Sequence, residues 1–271
     1  MQRAGGNAAR IDAIAFYTRV AEQFHSSYRT QPNRASRVAM WRNFLSRFAG
    51  SPKLAYDIGC GSGFLACELA ARGITTIGID GSEEMLDIAR REAAARGFHN
   101  ISFRQMVLPP TDSVDLPKAE LIVSSSFIEY IDSLPGILSF FRSHLTDGGT
   151  LIISVSNRES YTRRLVRFIH GFSGYPEYLD HIRHFVTTAE IEHLLAGARF
   201  RVIAHEYYEG ADRLNRMLLL FVPRRKATNM IILAARAHTP TVATSCTPTA
   251  ISSSRIAPST SSSPVGRDLV A

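Results

Sequence analysis

Three glycines at alternate positions, Gly59, Gly61 and Gly63, give this chain its most informative pattern for chemistry. Asp57 stands two positions before the first glycine, and a second acidic residue, Asp80, follows further along the chain. Glycines let a backbone turn tightly and let a ligand approach its N–H groups, which can bind polar groups at the start of a helix. A carboxylate at Asp80 could accept both hydroxyls of a ribose. The pattern therefore predicts a site for a nucleoside-containing cofactor.

A dinucleotide site is the first alternative, because nicotinamide-dependent enzymes use a similar turn with the spacing G-x-G-x-x-G. Here Phe64 occupies the position of the third glycine, and Gly63 comes one residue early. The carboxylate of Asp57 suits a cationic, amine-bearing ligand better than a pyrophosphate. A nicotinamide-dependent oxidoreductase is therefore kept only as a less favoured alternative.

The elements that must hold these residues alternate between strands and helices. Apolar runs predict five strands, at 54–58, 75–79, 101–106, 121–125 and 151–155, with helices between most of them. Such alternation implies right-handed crossovers and a mostly parallel sheet. Two further runs, at 200–206 and 230–235, have no clear helix between them, which favours an antiparallel pair. The predicted fold is an α/β, Rossmann-like sheet of seven strands with helices on both faces.

Three parts of the chain are predicted to differ in organisation. Residues 1–50 form a helical N-terminal cap segment, because their apolar residues recur at helical spacing. Residues 51–237 form the cofactor-binding domain. Residues 238–271 are rich in Ser, Thr and Pro, and cannot bury enough apolar surface to offset their chain entropy. This last part is predicted to be a disordered tail.

Three runs resemble motifs of the class I S-adenosylmethionine-dependent methyltransferases. Leu54–Gly63 resembles their first motif, Gly78–Leu86 their second, and Leu145–Leu151 the turn into their fifth strand. The resemblance extends over roughly 17–235. It implies methyltransferase activity with S-adenosyl-L-methionine as the cofactor.

The resemblance also implies roles for individual positions around the glycine turn. Asp57 and the backbone of the turn would hold the methionine part of the cofactor, and Asp80 the ribose. Met85 and the chain near Met106 would flank the adenine, and Ser125 would line the site at the end of the fourth strand. The stretch after the third strand lacks the acidic residue that many members carry, so adenine contacts there are expected to come from the backbone.

The segment after the fourth strand points to a small-molecule acceptor. It lacks the Asn/Asp-Pro-Pro-aromatic motif of enzymes that methylate base amines. In outline the chain resembles the ubiquinone-type methyltransferases, in which the helix of Tyr17 would close over the cofactor and Arg37 would lie near its carboxylate. Those enzymes carry Glu-x-x-Glu-His, whereas this chain has Ser126, Glu129 and Tyr130 at the three positions. Two differences out of three weaken that substrate assignment and any metal-assisted mechanism.

Two histidines are the candidates for acid–base catalysis. His181 and His184 lie in a segment rich in Tyr, His and Asp after the fifth strand, where this fold often inserts substrate-facing structure. Their spacing could also place them on one helix face, as in metal sites, but no metal is predicted. The alternative is that both side chains only anchor a loop.

Composition excludes several other classes of protein. The net charge is +7, but the basic residues are mostly scattered, so no nucleic-acid partner is predicted. The apolar run 217–222 is too short to span a bilayer, although with Arg224-Arg225-Lys226 it could touch a membrane surface or merely connect two strands. Three widely spaced cysteines give no disulfide framework, so a reducing, cytoplasmic setting is expected. The oligomeric state is not indicated, and a cofactor-binding regulatory protein without catalysis is the main alternative function.

Overall fold

A seven-stranded sheet lies at the centre of the computed structural model, which describes residues 13–208 and 217–238. The strands lie side by side in the order β3-β2-β1-β4-β5-β7-β6. Strands β1 to β5 are parallel, and β7 is antiparallel to both of its neighbours, β5 and β6. The mostly parallel sheet and the antiparallel last pair are thereby confirmed. The strands are β1 (Leu54–Ile58), β2 (Thr75–Asp80), β3 (Ile101–Gln105), β4 (Ala119–Ser125), β5 (Leu145–Ser156), β6 (Phe200–Tyr208) and β7 (Met230–Ala237).

Helices cover both faces of the sheet. Residues 13–19 are also helical, and 3-10 turns occur at Ile128–Tyr130 and Glu177–His181. Two helix starts are fixed by side-chain caps, because Ser82 accepts the N–H of Met85 and Thr187 forms a reciprocal capping box with Glu190. The α-helices are α1 (Ala21–Thr30), α2 (Pro32–Phe48), α3 (Phe64–Ala70), α4 (Glu83–Ala95), α5 (Leu134–Ser143), α6 (Tyr161–Ser173), α7 (Thr188–Gly197) and α8 (Arg224–Ala227).

Two apolar clusters, one on each face, hold these layers together. Trp41 and Phe44 of α2 pack with Leu121 of β4 on one face. Phe141 of α5 packs with Ile122 of β4 on the other face. Neighbouring residues of one strand point to opposite faces, so a buried parallel strand must be apolar throughout. This explains why the apolar run at 121–123 made β4 recognisable in the sequence.

Two elements differ from the sequence prediction. Strand β5 begins at Leu145 instead of residue 151, because Leu145 already pairs with Ala119 across a shift in register. Helix α6 follows β5, in a stretch for which no helix was predicted. The side chain of Ser160 caps the start of this helix by accepting the N–H of Arg163. The helix ends at Gly174, whose φ is +64°. Most of the apolar side chains of this helix face away from the core.

The described residues belong to one compact unit that ends at Pro240. Within 13–208 and 217–238, none of the helices combines the length and apolar character needed to cross a membrane. The predicted disordered tail falls on 239–271, apart from His238, and so lies outside the described residues.

Candidate functional site

The glycine turn between β1 and α3 leaves its middle part open to a ligand. Gly59, Gly61 and Gly63 have φ values of +70°, +50° and +79°, a region that favours glycine. A Cβ atom at Gly59 would lie 2.3 Å from the ring of Phe127, whereas one at Gly61 would meet nothing nearer than 3.6 Å. A Cβ atom at Gly63 would lie 2.6 Å from that of Ala89. Gly59 and Gly63 thus permit close packing, and Gly61 keeps the backbone accessible.

Asp80 ties this turn to the start of α4. One carboxylate oxygen accepts the N–H of Gly61 at 2.8 Å, and the other accepts the N–H of Ser82 at 3.0 Å. Burial raises the pKa of Asp80, and the backbone hydrogen bonds oppose that shift. Each oxygen keeps a lone pair for a further donor. The side chain is therefore placed to accept hydroxyl groups without moving.

Asp57, near the end of β1, links the glycine turn to the first turn of α3. Its carboxylate accepts the N–H of Ala66 at 2.9 Å and is 1% exposed. Burial is the largest influence and raises the pKa of Asp57 to about 8, while the Ala66 hydrogen bond lowers it and the charge of Asp80 raises it further. Asp57 lines a narrow crevice of about 40 Å³ behind the turn, together with Arg37. Its first role is therefore to hold the N-terminus of α3 in place.

A cavity of about 350 Å³ lies above the carboxyl ends of the parallel strands, where open α/β sheets bind ligands. Eight of the ten predicted cofactor residues line it, whereas Asp57 lies in the crevice and Gly63 packs against α4. The structure therefore brings most of the predicted set to one cavity. These eight are Tyr17, Arg37, Gly59, Gly61, Asp80, Met85, Met106 and Ser125.

The N-terminal helical residues close one side of this cavity. The hydroxyl of Tyr17 hydrogen-bonds that of Tyr130 at 2.6 Å, and its ring meets the ring of Phe24 edge-on at 5.7 Å. Thr18 donates to the hydroxyl of Ser82 at 2.8 Å, beside the start of α4. These N-terminal helical residues thus contact both the start of α4 and the segment after β4.

A buried carboxyl group, Glu129, faces the other side of the cavity. Its Oε1 accepts the hydroxyl of Ser156 at 3.1 Å, whereas its Oε2 is buried without a hydrogen-bond partner among the described residues. Burial raises the pKa of Glu129 to about 7, and the charges of Arg37 and Arg163 oppose the shift. A carboxyl group that titrates near neutral pH and keeps a free oxygen can act as a general base.

Two arginines flank Glu129. Arg37 donates to the hydroxyl of Ser126, a residue held at the unusual φ of +50°, and Arg163 donates to the hydroxyl of Tyr178 at 2.9 Å. The Nε atoms of both arginines are buried without a hydrogen-bond partner among the described residues. Two cations around one carboxyl group leave positive charge for an anionic ligand group to balance.

The same arrangement disfavours a divalent metal at the position of the Glu-x-x-Glu-His motif. Ser126 and Tyr130 replace two of the three metal-binding side chains, and the two arginines repel a cation at Glu129. Within the described part of the chain, no group of three or more His, Cys, Asp or Glu side chains is arranged to hold a metal.

The structure does not bring the two predicted histidines into the cavity. His184 uses its Nε2 in a 2.8 Å hydrogen bond with the carbonyl of Ile131, and the ring of His181 packs on that of Phe16 with centroids 4.8 Å apart. Their segment reaches the cavity through Tyr178 and Ile182 instead. Neither imidazole lines the cavity, so the catalytic role of the two histidines stays a prediction, whereas the carboxyl group of Glu129 does line it.

Sequence reasoning also missed several cavity residues outside the two motifs. Arg163 comes from α6, Tyr208 from the end of β6, and Asn229 and Met230 from the start of β7. Recognising α6 would have exposed Arg163, because Ser160 is a typical N-cap and apolar residues then recur at helical spacing. Asn229 and Met230 had no sequence signal, since only the antiparallel position of β7 brings them to the cavity.

Comparison with known proteins identifies the family. Residues 30–205 match the family described as "Methyltransferase domain". The chain is 25% identical over 155 residues to the ubiquinone biosynthesis O-methyltransferase of Acinetobacter baylyi, a match that covers 56% of this chain and 65% of that protein. The protein of the same name from Aeromonas salmonicida is 26% identical over 141 residues, covering 51% of this chain and 59% of its own length. The chain thus spans less than two thirds of either relative.

The fold is also found in solved structures. The magnesium protoporphyrin IX methyltransferase of Synechocystis PCC 6803, solved with bound S-adenosylhomocysteine, superposes with a TM-score of 0.57 at 18% identity, covering 77% of this chain and 86% of that one. The family match covers more than half of the chain and includes the glycine turn, Asp80 and Glu129. The chain therefore belongs to the class I methyltransferase family, whose cofactor is S-adenosylmethionine.

Proposed function

We propose that this protein transfers the methyl group of S-adenosylmethionine to a hydroxyl oxygen of a small-molecule acceptor. The single observation that carries the choice of oxygen is Glu129, whose buried Oε2 has no partner among the described residues and whose pKa is about 7. A hydroxyl group must lose its proton during methylation, whereas a neutral amine can react through its lone pair. The names of the two O-methyltransferase relatives agree with this choice.

The cofactor occupies the part of the cavity next to the glycine turn. Asp80 accepts the ribose hydroxyls with its remaining lone pairs, and the backbone at Gly61 lies against the methionine part. Met85 and Met106 flank the adenine, and Arg37 binds the carboxylate of the methionine part. These roles agree with the placement of all five residues along one cavity. When bound, S-adenosylmethionine supplies a methyl group already activated by its sulfonium.

The acceptor occupies the part of the cavity between Glu129 and α6. Arg163 and Tyr178 provide charged and hydroxyl donors for an anionic substituent, and Ile182 and Met230 provide apolar walls for a ring or chain. Arg163, beside a carboxyl group that is partly neutral near pH 7, favours an acidic acceptor over a cationic one. An acceptor that carries both a hydroxyl group and a carboxylate satisfies these contacts.

The reaction is an in-line displacement. The acceptor oxygen forms a bond to the methyl carbon as the carbon–sulfur bond breaks, and its proton passes to Oε2 of Glu129. Alignment by the cavity can supply up to ~7–11 kcal/mol of the barrier. A general base adds about 10²–10⁴-fold. Alignment is therefore the larger contribution, and the base determines how turnover depends on pH.

The test is methyl transfer from S-adenosylmethionine, labelled in its methyl group, to a panel of phenols, hydroxy acids, amines and simple carboxylic acids. Mass spectrometry of the products identifies the methylated atom. We expect label on hydroxyl oxygens, with the highest kcat/KM for acceptors that also carry an anionic group. Label found only on nitrogen or as methyl esters would contradict the proposal. Cofactor binding without transfer to any acceptor would instead favour the regulatory alternative.

A further inference from the structure

The exposed apolar residues of this protein are concentrated in one place. Eleven large apolar side chains are exposed among the described residues, and nine of them lie in two segments, 161–175 and 217–221. Single exposed apolar residues are ordinary on a protein surface, but a contiguous group marks an interaction site. We call these nine side chains the apolar ridge.

Helix α6 carries most of the apolar ridge along one face. Leu165, Phe168, Ile169 and Phe172 recur at helical spacing and are 48%, 66%, 50% and 82% exposed. Arg163, on another face of the same helix, lines the cavity. A surface helix of a globular protein normally turns its apolar stripe toward the core. Here the stripe is turned outward, and none of the described residues covers it.

The second segment adjoins α6. Met217, Leu220 and Phe221 are 54%, 78% and 78% exposed, and they immediately precede α8. The ammonium group of Lys226 in α8 lies 5.8 Å from the centre of the Tyr161 ring at the start of α6. Both parts of the apolar ridge therefore border the same contact between α6 and α8.

Basic residues surround the apolar ridge. Neither α6 nor residues 217–227 contain an acidic residue. Arg164, Arg167, Arg224 and Arg225 are exposed, while Glu159 beside them is engaged at 3.3 Å by Lys226. The ridge thus combines Phe, Leu and Ile side chains with a rim that is mostly basic, in which Asp180, 3.3 Å from His170 of α6, is an acidic residue. Long basic side chains can keep their charged ends at a polar boundary while their stems lie on apolar surface.

We infer that the apolar ridge docks on the surface of an anionic lipid bilayer. An outward apolar stripe with arginines beside it matches the two layers of a membrane interface, where acyl chains meet negatively charged phosphates. A complementary protein surface would need its own apolar groove ringed by acids, and a second copy of this chain would bring a basic rim against a basic rim. Charge complementarity therefore favours the bilayer. The inference does not depend on the proposed reaction.

Vesicle flotation of the full chain tests this inference. The probes are vesicles of phosphatidylcholine alone and of phosphatidylcholine mixed with phosphatidylglycerol. We expect binding to the mixed vesicles that weakens as salt rises, because exposed charges are screened. The double variant Phe168→Asp/Phe172→Asp should reduce the bound fraction at least about tenfold, since it removes apolar contact and adds repulsion. Ile203→Asp is the matched control, because Ile203 is exposed but lies outside the ridge.

A second variant keeps the test decisive if the first one fails to fold. Arg224→Glu/Arg225→Glu should reduce binding to the mixed vesicles while cofactor affinity stays unchanged. Absence of wild-type binding to the mixed vesicles would overturn the inference, as would a folded Phe168→Asp/Phe172→Asp variant that binds as well as the control. A dimer in solution that this variant separates, without vesicle binding by the wild type, would assign the ridge to a second copy and also overturn it.

Discussion

Replacing Glu129 by glutamine tests the proposed base, because we expect the substitution to lower turnover but to raise stability at high pH. Glutamine has nearly the shape of the protonated acid but cannot accept a proton from the acceptor hydroxyl. We therefore expect Glu129→Gln to reduce kcat by about 10²–10⁴-fold. In the wild type, kcat/KM should rise with pH up to about 7, where Glu129 becomes ionised. The variant should lose this rise.

The same substitution should stabilise the protein at high pH. The pKa of Glu129 is about 7 in the folded protein, against an ordinary value of 4.5. Between these values the folded state binds more protons than the unfolded state, so stability falls as pH rises and the loss is complete above the folded pKa. The difference corresponds to ~3 kcal/mol. At pH 8 Glu129→Gln should thus unfold at higher denaturant concentration than the wild type, and near pH 4 the two should agree.

Urea unfolding at both pH values and the pH profile of turnover provide the measurements. Glu192→Gln is the matched control, because its carboxyl group is partly exposed on α7 and lies outside the cavity. The control should change stability by less than about 0.5 kcal/mol. Full turnover in Glu129→Gln with an unchanged pH profile would refute the base. A Glu129→Gln variant that loses both activity and stability at pH 8 would show that the fold requires the carboxylate. That result would refute the prediction that burying the charged carboxylate destabilises the protein at this pH.

Three further predictions concern the turn, the acceptor side and the histidines. Gly63→Ala should destabilise the protein by about 1–3 kcal/mol in thermal unfolding, because both its φ and its packing exclude a Cβ atom. Gly61→Ala should cost less stability, because only its φ disfavours a Cβ atom, and should mainly weaken cofactor binding in calorimetry; a stability loss equal to that of Gly63→Ala would be inconsistent with the geometry. Arg163→Met should raise KM for acidic acceptors by about 10–100-fold but leave neutral acceptors nearly unchanged; uniform loss would speak against charge recognition. His181→Ala and His184→Ala should each keep turnover within about threefold, since neither ring lines the cavity; a loss as large as that expected for the general base would restore the histidine hypothesis.

Local patterns were sufficient to predict the shape of the glycine turn and the position of Asp80 beside it. The spacing of Gly59, Gly61 and Gly63 encodes a backbone shape, and Asp80 ends a strand next to it, so both features are fixed within a short stretch of chain. Helix caps such as Ser82 are equally local, because the side chain bonds an N–H three residues away. The parallel part of the sheet follows from the alternation of such elements.

The side of the cavity around Glu129 could not be predicted because it depends on burial and on distant partners. Glu129 was recognised only as the remnant of a motif, since its raised pKa arises from burial next to Arg37 and Arg163 in the folded chain. The histidines were favoured by residue type, but His184 satisfies a distant carbonyl instead of facing the cavity. Helix α6 was missed although its Ser160 cap and its apolar spacing are present in the sequence, and only the structure shows that the apolar stripe points outward.

Calorimetric titration with S-adenosylmethionine tests the central claim, that the cavity above the glycine turn is the methyl-donor site, most directly. We expect binding of S-adenosylmethionine by the wild type and no binding of NAD. Asp80→Ala should lose about 1.5–3 kcal/mol of binding free energy, or roughly 10–100-fold in affinity, because charged hydrogen bonds to the ribose are removed. Tight binding of NAD without a response to S-adenosylmethionine, or an unchanged dissociation constant in a folded Asp80→Ala variant, would contradict this claim.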